Sequence, residues 1–135
     1  MLHSQLQNRL IFKEVILSNQ HIEHSSIINW SDCIKMTGGD EEAAKETLHL
    51  ILQSLPQDYH TIQTLFVEQN YQSLEDQVHR LHGSLCYTGI PALKIATKEL
   101  ELALRQKNYA NVAPRFETFK QALNEFLEES QRLGL

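Results

Sequence analysis

Glycine, proline and cysteine are scarce in this chain of 135 residues, which holds 5 Gly, 3 Pro and 2 Cys beside a single Trp. So little turn and strand punctuation is typical of helical proteins. The two cysteines, Cys33 and Cys86, are far apart and form no CxxC pair, which excludes a disulfide scaffold and fits a reducing cytoplasm. A basic excess is also missing. The formal charge is −5, with 12 Lys+Arg against 17 Asp+Glu, whereas a nucleic-acid binder needs a cationic face to displace counterions from phosphates. No apolar run approaches the length of a membrane span, and the opening MLHSQLQNRLIFKEVILSNQ lacks the basic-then-apolar layout of a signal peptide. Phosphate-cradling loops are absent too: there is no GxxxxGK[ST] and no glycine-rich lid, so neither ATP binding nor kinase activity is expected of this chain alone. What remains is a mildly acidic, cytoplasmic domain without direct membrane contact, whose partners are expected to be proteins.

The residues that are present repeat at helical spacing. The length suits one domain that buries roughly two-thirds of the surface of its unfolded chain. Residues 1–26 are read as a linker or short helix, and 27–135 as the folded domain. Asn29 or Ser31 can cap a short helix that Gly38 and Gly39 stop, and Asp40 then caps a long one with Glu41 and Glu42 in its first turn. Leu48, Leu52, Leu55, Tyr59, Ile62 and Phe66 keep one apolar stripe through Pro56, which is expected to kink that helix rather than end it. A third helix is predicted from about Ser73 to Tyr87, with Leu74, Val78, Leu81 and Leu85 inward. Pro91 suits the start of a fourth, carrying Leu93, Ala96 and Leu100. Val112, Phe116, Phe119, Leu123 and Phe126 mark the last. Four amphipathic helices joined by short turns can hide their stripes only against one another. The expected fold is all-α, an antiparallel four-helix bundle preceded by one or two short helices.

Within the third helix, VHRLHGSLCYTG places two histidines three residues apart and a glycine directly after them. At about 100° per residue, His79 points roughly 120 to 130° away from the centre of the buried stripe. Gly83 and Cys86 fall near the same outward line, and His82 lies between that line and the stripe. His79 alone among the seven histidines is therefore expected to be strongly exposed in mid-helix with a glycine beside it. Glycine in a helix costs roughly 0.5 to 1 kcal/mol relative to alanine, and here it clears the surface next to an imidazole. Three readings stay open on the residues alone: a solvated surface histidine, a metal site built on Asp76-x-x-His79 with His82, and nucleophilic chemistry at an exposed imidazole. The metal site lacks the second carboxylate-x-x-His unit that di-metal bundles use.

HRLHGS, with the turn CYTGIP and the helix ending KELELAL, resembles the signature of histidine-containing phosphotransfer (HPt) domains. That signature is a histidine, any residue, leucine, usually lysine, then glycine and serine. INWSDCIKMTGGDEEAAKETLHLILQSLP is similar to the family's lead-in, so the resemblance covers about residues 27–130. It is nearest to HPt domains at the C-termini of hybrid sensor kinases of the BarA/GacS type. The resemblance implies a phosphorelay intermediate. His79 would accept a phosphoryl group from a receiver-domain aspartate and return it to the aspartate of a response regulator. Gly83 would be the small neighbour that keeps His79 reachable, with Arg80, His82, Cys86 and Lys98 around the phosphoryl group or the partner. His82 stands where the family usually has lysine, which replaces a permanent charge by a titratable one. The receiver would bring the Mg²⁺, the chain itself needing no cofactor, and a monomer is expected, either as a separate protein or as the cytoplasmic C-terminal part of a membrane-bound sensor kinase. The alternative is a helical interaction adaptor in which His79 is incidental.

Overall fold

The computed structural model describes residues 24–135. Most of the segment read as a linker or short helix, residues 1–23, lies outside the described residues. Five α-helices are found among the described residues: α1 (Trp30–Met36), α2 (Glu41–Val67), α3 (Tyr71–Leu85), α4 (Pro91–Arg105) and α5 (Val112–Arg132), with a 3₁₀ turn at Tyr109–Asn111 before the last. The architecture is the all-α bundle expected from the periodicity.

Local chemistry sets the boundaries. The Asn29 side chain accepts from the Asp32 amide to cap α1, and the Asp40 carboxylate accepts from the amides of Glu42 and Ala43 to cap α2. Between them Gly38 and Gly39 take φ of 73° and 87°, the left-handed conformation that ends α1. Helix α2 runs through Pro56 without ending. Asn70 caps α3 through the Ser73 amide, so α3 begins two residues earlier than the spacing predicts. Pro91 opens α4, where its missing N–H costs nothing.

Each predicted stripe faces one shared core. Leu74, Val78 and Leu85 of α3, Leu93 and Leu100 of α4, and Phe119 and Phe126 of α5 are completely enclosed; truncating such a phenylalanine to alanine costs about 3 to 5 kcal/mol. Helices α3 and α4 are antiparallel neighbours, since Glu75 meets Arg105 while His79 and His82 meet Glu101. Between α2 and α5 the seam is filled by rings: Phe66 stacks on Phe116 with centroids 4.1 Å apart, and Tyr59 lies against both Phe116 and Phe119. This explains why Leu52, Tyr59 and Phe66 are only half-buried: they line a seam at the edge of the core.

Helix α1 is clasped to the turn between α3 and α4. The Asn29 amide donates to the Gly89 carbonyl at 2.7 Å, and the Gly89 amide donates to Cys33 Sγ at 3.2 Å. A Cβ on residue 89 would collide with the Asn29 carbonyl and lie 2.9 Å from Cys33 Sγ, so only glycine fits this approach. At the start of the described chain, the Ser25 hydroxyl donates to Glu129 of α5 at 2.6 Å. The tie places Ser25 against the bundle, two residues ahead of the boundary drawn at 27.

Candidate functional site around His79

Helix α3 turns Leu74, Val78, Leu81 and Leu85 into the core, which forces position 79 outward. The His79 side chain is 69% exposed. Gly83, one turn on, is exposed as well, and a Cβ there would meet nothing within 4 Å. The surface beside the imidazole is thus open, and packing places no demand for glycine at 83.

Beneath the ring lies a residue of the next helix. Glu101 of α4 is 5% exposed, and its carboxylate gathers three partners: His79 Nδ1 at 2.5 Å and Arg105 Nη2 at 2.5 Å on Oε1, and His82 Nδ1 at 3.2 Å on Oε2. A buried carboxylate is costly unless donors and positive charge offset it; His79 and Arg105 hydrogen-bond to Oε1, and His82 lies at ion-pair distance from Oε2. An ionised carboxylate only accepts, so in the bond to Glu101 the Nδ1 of His79 carries the hydrogen. In the neutral ring of His79 this leaves the lone pair on Nε2, the nitrogen turned away from Glu101. The arrangement is an oriented, solvent-facing imidazole resting on a buried carboxylate.

His82 is only 19% exposed, and its other nitrogen, Nε2, faces Cys86 Sγ at 3.9 Å. It occupies the helix edge as a half-buried, hydrogen-bonded residue. Cys86 is half-buried beside it. Arg80 is exposed, but lies about 160° around α3 from His82, away from the side that meets α4. Lys98 is exposed on α4, one turn before Glu101. Asp76 is exposed, and among the described residues no three His, Cys, Asp or Glu side chains come together as a metal-sized cluster. One expectation needs correction: His49 and His60 are also exposed within α2. Exposure does not single out His79, because the long outer face of α2 exposes any histidine on it; the Glu101 contact and the adjacent Gly83 do.

Glu101 and Arg105 were not among the residues singled out from the sequence. Glu101 sits about 80° around α4 from Leu93, at the margin of the apolar stripe, and its i,i+4 partner Arg105 gives the pair the look of a solvated helix surface. The available signal is Thr97, fully buried one turn before Glu101: two polar residues run along one edge of an otherwise apolar face.

Comparison with known proteins gives the class. The family model described as Hpt domain matches residues 46–132. The signal transduction histidine-protein kinase BarA of Escherichia coli K12 is 26% identical over 102 residues, covering 76% of this chain and 11% of that protein. The sensor protein GacS of Pseudomonas syringae pv. syringae is 29% identical over 80 residues, covering 59% of this chain and 9% of that protein. The chain therefore spans about a tenth of the length of these curated relatives. A crystal structure of the HPT domain from an Hpt sensor hybrid histidine kinase of Shewanella superposes with a TM-score of 0.57 at 24% identity, covering 76% of this chain and 95% of that one. It shares the fold. The chain belongs to the Hpt domain family, and its role is phosphotransfer in two-component signalling. Domains of this family work with receiver domains in phosphorelays. No helix among the described residues is long and apolar enough to cross a membrane.

Proposed function

We propose that this chain is a phosphorelay intermediate whose phosphoryl acceptor is Nε2 of His79. The observation that carries the reading is the bond from Nδ1 to Glu101, which fixes the ring with its lone pair outward beside an open glycine surface. In the forward step the Nε2 lone pair attacks the phosphorus of a receiver aspartyl phosphate in line. The N–P bond forms as the P–O bond to the aspartate breaks, and that electron pair stays on the aspartate carboxylate. The ring keeps its Nδ1 proton and gains a positive charge, which Glu101 offsets. In the onward step a carboxylate oxygen of the second receiver attacks phosphorus, the N–P bond breaks, and its electron pair returns to Nε2. Shielding of the transferring oxygens by Mg²⁺ is assigned to the receiver.

Donor and acceptor in this reading are the receivers of a hybrid sensor kinase and of a response regulator, and transfer takes place in the cytoplasm. The test is incubation with a panel of phosphorylated receivers. The parent chain is expected to take acid-labile phosphate from at least one of them, and a His79→Gln variant to take none. Tight binding of receivers with no transfer would favour a helical adaptor in which His79 is incidental.

A further inference from the structure

Many phosphoryl carriers keep a cation beside the transferred group, because a phosphoryl dianion is held best by charge-assisted hydrogen bonds. The residue placed to do so by its position in the α3 motif, His82, is turned elsewhere: Nδ1 lies 3.2 Å from Glu101 Oε2, Nε2 faces Cys86, and little of the ring meets solvent. Both ring nitrogens face groups of the protein.

A second cation reaches His79 from the neighbouring helix. Arg105 Nη2 binds the same carboxylate oxygen that receives His79 Nδ1, so the guanidinium and the imidazole are adjacent. The arginine side chain is 56% exposed. Its Nε lies 4.0 Å from Glu75 Oε1, an ion-pair distance beyond hydrogen-bond range. Nη1 has no partner among the described residues. A guanidinium carries five donors in one plane, so Arg105 can keep Nη2 on Glu101 while its open edge meets phosphoryl oxygens on the ring beside it. Arg80 lies on the far side of α3, and among the described residues the ion pairs of Glu101 are with His79, His82 and Arg105, not Lys98.

We infer that Arg105 is the phosphoryl-binding cation of this chain, and that His82 is a positioning residue that holds the second oxygen of Glu101. The inference rests on the phosphotransfer reading only as far as phosphorylation of His79. Its test needs no receiver: potassium phosphoramidate is the donor, Nε2 of His79 forming the N–P bond as the P–N bond of the reagent breaks and ammonia leaves. Side-chain ¹⁵N spectra of the intact chain are recorded before and after phosphorylation. The Arg105 guanidinium signals are expected to shift and sharpen, while the His82 ring signals move little. Rates then separate the variants. Arg105→Gln should slow phosphorylation about tenfold, Arg105→Lys should retain most of the rate, and His82→Gln should slow it about threefold, the smaller loss of a residue that acts through Glu101. Thermal melts check that each variant is folded. A large His82 shift with silent Arg105 signals, or a tenfold loss in His82→Gln with parental rates in Arg105→Gln, would overturn the assignment. Failure of every receiver to donate, with phosphoramidate still active, would count against the relay reading and leave the arginine result standing.

Discussion

His79 and Glu101 meet at 2.5 Å across the α3–α4 interface, an exposed imidazole resting on a buried carboxylate. The contact joins residues 22 positions apart and divides the ring's two nitrogens into one held against Glu101 and one turned away from it. Removing the carboxylate should therefore change which nitrogen carries the proton. In Glu101→Ala the Nε2–H tautomer should gain at the expense of Nδ1–H, visible in the ring ¹⁵N shifts, and phosphoryl transfer should slow by about 10- to 100-fold. Glu101→Gln should recover part of the loss, since its amide oxygen can still accept from Nδ1. An alanine variant with parental tautomer and rate would remove Glu101 from the mechanism.

Gly83 has open space where a Cβ would stand and lies on the exposed side of α3, so packing does not require glycine there; on the phosphotransfer reading it leaves room for the receiver. Gly83→Ala should leave the fold intact and stabilise it by up to about 1 kcal/mol, while transfer slows because a methyl group stands where the receiver must approach. Gly83→Leu should be slower still. Stability and rate moving in opposite directions distinguish a docking surface from an accidental glycine. Parental transfer rates in both variants, with intact melts, would show that access is not what glycine provides.

The bundle is legible in the sequence because burial is periodic: every stripe residue predicted for α3, α4 and α5 is buried, and the predicted caps Asn29 and Asp40 stand where side-chain oxygens accept from helix amides. His79 is legible for the same reason, as a residue opposite its own stripe with glycine one turn on. Glu101 and Arg105 are hidden because their role arises between helices. An acidic residue at the margin of a stripe followed four positions later by arginine reads as surface chemistry until α3 is laid against α4. The histidines of α2 show the converse, since periodicity predicts exposure well and says nothing about what an exposed ring contacts.

Glu129 makes stability depend on pH near the end of α5. Hydrogen bonds from Arg132 and then Ser25 hold its carboxyl below the ordinary value of 4.5. A depressed carboxyl stabilises the fold fully above its unfolded value, and that contribution is lost as pH falls through the folded one. Melting temperature should therefore drop below about pH 5 more steeply in the parent than in Glu129→Gln. Identical acid limbs for the two proteins would contradict this.

The cysteines should differ in reactivity. Burial pushes the Cys33 thiol up from its ordinary value, outweighing the Gly89 amide that donates to its sulfur, so it stays protonated, and the fold shields it. Cys86 is half-buried at the site's edge. A thiol reagent at neutral pH should label Cys86 first and Cys33 only on unfolding. Rapid labelling of Cys33 in the folded protein would mean that the clasp between α1 and the α3–α4 turn opens readily.

The most direct measurement is the position of the phosphate itself. After transfer from a phosphorylated receiver to ¹⁵N-labelled protein, ³¹P and ¹⁵N spectra of the product report which residue and which nitrogen carries the group. The account predicts one phosphohistidine, at His79, with phosphorus on Nε2 and a proton on Nδ1 still facing Glu101. Phosphorus on Nδ1 of His79, or on any other residue, would contradict it.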